Sequence, residues 1–338
     1  MTRLAIHSTR LFPKGRGADQ YRVSGIASRC DWIIFSDREP PHVFLHKAKR
    51  SGTPRTIFLS MRAHVPALRY FTESVLPTLK APVVLISGSE DVTLPNQIDK
   101  RWSPLNEHLQ NCVNIILDSA MVRCWAVENL DEITHSKLFP LPLGMVFSGE
   151  PKIRETIDIP DVLAAASRSP RVLCAHRIRD GEQWNVRRKL SEFARKDWAA
   201  FCTQFDEEIP EAEYLTLVEE HAFVICAQGG GVDPSPKAWQ AILHGAIPII
   251  KSSALDAAYR HLPVVFVDEW TPDSISLASL QSWQRELSTD QTPYFHREEV
   301  LRRLGLDYWW KYITEFSPGR PLQRGADDFG RSGRTRRE

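Results

Sequence analysis

An α/β fold, with doubly wound sheets in two successive domains, is what this sequence predicts, and three observations predict it. Short apolar runs alternate with longer amphipathic ones over most of the chain, the strand, helix, strand rhythm that builds parallel sheet from βαβ units. The rhythm restarts after a charged, weakly periodic stretch at 150–169, EPKIRETIDIPDVLAAASRS. A length of 338 residues is long for one compact core and comfortable for two.

In the first half the strand candidates are DWIIF (31–35), HVFLH (42–46), TIFLS (56–60), VVLIS (83–87), VNIIL (113–117) and LFPLPLG (138–144). Between TIFLS and VVLIS, VPALRYFTESVLPTL (65–79) sets Leu68, Phe71 and Val75 on one face with Pro66 near its start, which predicts a helix. Trp125 and Asn129 are four apart and share a face if their segment is helical. In the second half RVLCA (171–175), WAAFC (198–202), FVICA (223–227), AIPII (246–250) and PVVFVDEW (263–270) read as strands. WNVRRKLSEFARK (184–196), AEYLTLVEEH (212–221) and LDAAYRHL (255–262) read as helices between them, and EVLRRLGLDYWWKYITEF closes the fold as helix. The expected division is a first domain over 1–150, a link over 151–169, a second domain over 170–318 and a Gly/Arg/Asp-rich disordered tail over 319–338.

Lys plus Arg (43) nearly cancels Asp plus Glu (42), so no global field recruits nucleic acid or an anionic membrane, and any basic site is local. The six cysteines form no CxxC pair or metal-finger spacing, and Cys174 and Cys226 lie inside apolar strand-like runs, as buried free thiols do. The N-terminus lacks the apolar core of a signal peptide, and no 18-residue apolar run exists to span a membrane. The expectation is a reducing, cytoplasmic setting with no integral membrane segment.

Residues 228–250, QGGGVDPSPKAWQAILHGAIPII, carry the strongest chemical signal. Ligands of open parallel sheets bind beyond the carboxyl ends of the strands, and this segment leaves FVICA at that edge. Gly229, Gly230 and Gly231 let a ligand approach main-chain N–H groups without a Cβ in the way. Ser235 and Pro236 suit the N-cap and first position of a helix, and Lys237 adds a cation to its first turn. The parts together suit a diphosphate. A glycine-proline loop followed by a solvated lysine is the plain alternative. The pattern is neither a Walker A loop nor a GxGxxG fingerprint.

The same segment resembles the donor-binding motif of the exostosin-like glycosyltransferases: apolar strand, Gly-rich turn with Asp, basic residue, Trp, then Gly-x-Ile-Pro. The basic residue, the small residue four after it and the later Ile-Pro are also similar to the α-1,3-fucosyltransferase motif. ISGSEDV (86–92), LDSAMVRCWAVENLD (117–131) and KLFPLPLGM (137–145) look like further segments of bacterial exostosin-like proteins, so the resemblance runs patchily from about residue 83 to 270. It implies a GT-B-like fold, two Rossmann-like doubly wound domains facing each other across a cleft. The implied activity is transfer of a sugar from a UDP- or GDP-linked nucleotide sugar to a glycan or other hydroxyl acceptor. The family implies an inverting, metal-independent reaction with no cofactor beyond the co-substrate.

Within the resemblance, Lys237 takes the family's basic position and would neutralise the diphosphate as it leaves. Asn185 and Arg187 (or Arg188) fall where fucosyltransferase-like enzymes place an Asn and an Arg on the phosphates. A surface-exposed basic helix start is the alternative for them. Asp233 would orient the loop or bond a sugar hydroxyl, and is equally a turn former. Asp91 coincides with the family's aspartate and is the first candidate for the base, with Glu90 beside it; His135 and His176 are rivals, and a loop acid capping a helix is the plain reading. Trp239 is expected to pack under the loop. The sequence departs from the family where Gln240 and Pro236 stand in place of the glutamates expected to hold the ribose hydroxyls, and where a lysine replaces the arginine. A catalytically retired protein that binds a sugar nucleotide or glycan is therefore the alternative function.

Overall fold

The computed structural model describes residues 3–13, 21–39, 41–48, 52–146, 156–234, 236–287 and 296–316. Among these, two α/β units form. The first holds the chain up to Asp158, the short segment Gly230–Asp233, and the residues from Leu304 on; the second holds Ile159–Gly229 and Pro234–Arg303. The expected tail at 319–338 and residues 151–155 of the expected link lie outside the described residues.

The first unit opens with three short strands, β1 (Arg3–Ala5), β2 (Phe12–Pro13) and β3 (Tyr21–Arg22). Its main sheet comprises β4 (Trp32–Arg38), β5 (Pro41–Lys47), β6 (Thr56–Ser60), β7 (Val83–Gly88), β8 (Val122–Val127) and β9 (Leu138–Pro140), in spatial order β5-β4-β6-β7-β8-β9. β4 and β5 form an antiparallel hairpin, and every other pair is parallel. The edge strand β5 is half-exposed, whereas β6 and β7 are buried throughout, as parallel strands covered on both faces must be. The helical run 64–78 begins with α1 (His64–Tyr70) and continues through a π turn at Phe71–Val75. α2 (Glu107–Asp118) packs against α1, since crossovers of one hand between strands added in one direction fall on one face.

Two sequence expectations change here. VNIIL is not a strand; it is the last part of α2, whose buried residues Leu109, Cys112, Val113, Ile116 and Leu117 recur at helical spacing. Trp125 lies in strand β8, not in a helix, and its indole N–H donates to Ser87 Oγ at 2.9 Å. At Thr156–Asp158, within the expected link, the chain forms β10 and pairs antiparallel with β1.

The second unit's strands are β11 (Val172–Cys174), β12 (Cys202–Gln204), β13 (Phe223–Ile225), β14 (Ile247–Lys251) and β15 (Val265–Val267). All pair in parallel, in the order β12-β11-β13-β14-β15. WAAFC yields its strand only at its end, β12 starting at Cys202. The helices between are α3 (Asn185–Arg195), α4 (Glu211–Glu220), α5 (Pro236–Leu243) and α6 (Asp256–Tyr259), followed by α7 (Leu277–Glu286) and α8 (Arg297–Leu304). A last helix, α9 (Leu306–Glu315), belongs to the first unit, where the ring of Phe316 stacks on Phe139 at 3.9 Å. Two Rossmann-like α/β layers thus stand as expected. In the second the strand order reverses between β11 and β13, which makes that point the physically favoured ligand position. All six cysteines are buried free thiols, and no helix among the described residues is long and apolar enough to cross a membrane.

Candidate functional site

At the reversal point, Ala175 and His176 follow β11, and Cys226 to Gly229 follow β13. The first turns of α3 and α5 begin here, so two helix N-termini with their partial positive charge meet these strand exits. Arg187 joins the two exits. Its guanidinium donates to Arg177 O at 2.9 Å on one side, and to Gln228 O at 3.1 Å and Ala227 O at 3.3 Å on the other. The Trp184 ring lies 4.6 Å from it. Arg187 is thereby a strap first, with main-chain oxygens taking its donors.

Lys237 is the central cation. Its ammonium donates to Ala175 O and lies 4.0 Å from the centre of the Tyr214 ring. Burial lowers its pKa from 10.5 to about 8, and Arg187 pushes in the same direction while Cys226 and Cys174 oppose it. An anion arriving here would restore the charge. The Tyr214 hydroxyl is buried with no hydrogen-bond partner among the described residues, and burial raises its pKa well above the ordinary value. Nothing in the sequence singled out Tyr214, which reads as one more apolar position of α4.

Around this centre, Asn185 Oδ1 accepts from Arg188 Nη2 at 2.6 Å, and Arg188 donates on to Arg179 O and Gly181 O. Arg177 pairs with Glu208 at the surface. Gln240 donates to Glu211 Oε1 at 3.3 Å, and Trp239 is fully buried edge-on to Tyr259, the packing role expected of it. Ser235 lies outside the described residues. His176, the rival base, donates from Nε2 to Arg187 O at 2.9 Å, and burial depresses its pKa to about 4. His135 accepts from the Lys137 amide through Nδ1.

The three glycines make room for side chains of the protein itself. A Cβ at Gly229 would press on the Arg187 guanidinium, and one at Gly230 would overlap that of Arg101. Gly231 has φ +66°, in the left-handed region, and its N–H donates to Asp99 Oδ2 at 2.9 Å. The amides of Val232 and Asp233 both donate to Asn129 Oδ1, at 3.0 and 3.1 Å, and Asp233 Oδ2 accepts from Leu143 N at 3.0 Å. The main-chain donors of 231–233 are thus held by the first unit's own acceptors. Glycine is required for side chains to approach, and Asp233 anchors the strip.

In the first unit the carboxyl ends of β7 and β8 gather acids and arginines. Asp91 accepts from Arg10 and from Arg101, each at 2.8 Å. Burial alone would raise its pKa, but the two guanidiniums outweigh it and hold the carboxyl below the ordinary range. Such an acid orients its partners and is a weak proton acceptor near neutrality. Glu90 pairs with Arg38 at 2.7 Å.

The residue that sequence reasoning passed over is Glu128, 1 % exposed at the exit of β8. It accepts from the Thr9 hydroxyl and, at 2.7 Å, from the N–H of Ser89, whose φ of +76° is uncommon for a side-chain-bearing residue. Burial raises its pKa to about 7, against the pull of Arg10, Thr9 and Ser89. Its signal in the sequence is slight: one acid directly after the apolar run of a buried strand. Glu128 makes a testable contribution to stability. Its folded pKa exceeds the unfolded value of 4.5, so the native state retains a proton that the unfolded state releases. The stabilisation from Glu128 should be full below about pH 4.5 and lost as pH rises through about 7, a difference on the order of 3 kcal/mol. Urea unfolding at pH 5 and pH 8 should show this slope in the wild type and a smaller one in Glu128→Gln.

No protein-family model matches this chain, and no curated protein matches it.

Proposed function

We propose that this protein is a glycosyltransferase that moves a sugar from a nucleotide-sugar donor to a hydroxyl acceptor, with the donor's diphosphate at the strand reversal of the second unit. One observation carries the reading: the Lys237 ammonium sits in the first turn of α5 at the exit of β11, the place where open α/β sheets receive phosphates. Charge grows on the diphosphate as the glycosidic bond breaks, so a cation fixed there favours the transition state over the ground state. The helix N-termini of α3 and α5 supply further positive potential. With the amides of 231–233 engaged elsewhere, lysine and helix ends carry the anion in place of a glycine nest.

The alternative, a sugar-nucleotide binder without turnover, draws on the pairing of Asp91 with two arginines and on Gln240 bonded to Glu211. A thermal-shift screen with UDP, GDP, CDP and ADP, followed by hydrolysis assays with the matching donor sugars, separates the two. Stabilisation by one nucleoside diphosphate plus slow donor hydrolysis supports the transferase. Stabilisation without turnover of any donor supports the binder, and no stabilisation by any of the four removes both.

A further inference from the structure

The carboxyl edge of the first sheet holds a second cluster, which adjoins the acids around Asp91 through Glu90. His64 follows β6, Arg38 ends β4, Glu90 follows β7, and Trp102 lies in the loop beyond it, so three neighbouring strand exits converge. The His64 imidazole meets the Trp102 ring edge-on at 5.4 Å, and the Arg38 guanidinium lies 4.4 Å from that ring's centre. Arg38 is bonded to Glu90 at 2.7 Å.

His64 is 8 % exposed, and its contacts are the Trp102 ring and the field of Arg38. One side-chain polar atom here, the indole nitrogen of Trp102, is buried without a hydrogen-bond partner among the described residues. Buried polar groups are as a rule satisfied, and the exceptions call for an account. Core packing explains the histidine; it does not explain a buried indole donor left unmet beside it at the edge where such sheets bind ligands.

We propose that His64, Trp102, Arg38 and Glu90 form a binding site for a neutral, hydroxyl-rich ligand, a saccharide. The charges of Arg38 and Glu90 cancel, so the cluster does not select an ion. It offers donors (the Trp102 indole, Arg38) beside acceptors (Glu90, one imidazole nitrogen), the mixture that a hydroxyl group, both donor and acceptor, can satisfy. Burial, with Arg38 adding to it, keeps the imidazole below its ordinary pKa and so neutral, able to accept from a hydroxyl. Identifying this saccharide as the acceptor substrate rests on the transferase reading; the site itself does not.

The test uses the full chain labelled with 15N-histidine and 15N-tryptophan, titrated with lactose, maltotriose and N,N′-diacetylchitobiose. Nucleotide binding is measured in the same samples. At least one saccharide should shift an imidazole resonance that is missing in His64→Gln and an indole resonance that is missing in Trp102→Phe. Affinity in Trp102→Phe should fall about tenfold, the loss of one hydrogen bond to a buried donor. Nucleotide binding with no saccharide shift overturns this site and leaves the transferase reading standing. A saccharide shift without binding of any nucleoside diphosphate supports the site and overturns the transferase. If saccharide shifts persist undiminished in both variants, the ligand binds elsewhere and the proposal fails.

Discussion

Replacing Arg168 by alanine should destabilise the second unit by roughly 3–5 kcal/mol and lower its melting temperature by about 10 °C. The guanidinium is almost fully buried, and it donates to Val218 O at 2.8 Å, His221 O at 3.0 Å, His244 O at 2.7 Å and Leu163 O at 3.1 Å. Three of these carbonyls lie at the ends of α4 and α5, where the last turn of a helix leaves oxygens without main-chain donors. No carboxylate among the described residues is bonded to it, and burial lowers its pKa to about 10. Alanine would strand several buried acceptors at once, each costing about 1–3 kcal/mol. Arg168→Lys should recover part of the loss, because one ammonium retains the charge but cannot span four carbonyls. Chemical denaturation followed by circular dichroism measures this, and an alanine variant within about 1 kcal/mol of wild type contradicts the clamp.

Arg168 also shows where the sequence stops being legible. It sits in LAAASRSPRV, inside a stretch whose charge and weak period mark it as a surface link. Its burial depends on carbonyls that arrive from α4 and α5, and no local pattern encodes them. The sheets, by contrast, were readable, because apolar runs such as VVLIS and FVICA are buried on both faces and need little context. The helix and strand errors at 113–117 and 125 have one cause: a short, mostly apolar run fits either a buried strand or the covered side of a helix, and periodicity alone does not choose between them. At the site, the position of Lys237 followed from strand, turn and helix order. The role of the glycines did not. A glycine run signals close approach without saying by what, and here Arg101 and Asn129, distant in sequence, are what approaches.

Lys237→Ala should weaken nucleoside diphosphate binding at least about 30-fold, the cost of removing one partner from a largely desolvated charge pair. The pH dependence tests whether the amine acts through its charge. In the free protein its pKa is about 8, and a bound diphosphate, already ionised above pH 7, would raise it. Binding above pH 8 therefore takes up a proton. Affinity should be nearly constant from pH 6.5 to 7.5 and fall as pH rises through 8 towards 9, approaching about tenfold per unit. Lys237→Arg keeps its charge throughout this range, so it should flatten the profile even if the larger guanidinium, against Tyr214 and Ala175, binds less tightly overall. Calorimetry in two buffers of different ionisation enthalpy reads the proton uptake directly at pH 8.5. A wild type whose affinity does not change between pH 7 and 9, or an alanine variant that binds as well, would mean that the amine only packs between the strand exits. The second unit would then lack the cation on which a diphosphate leaving group depends.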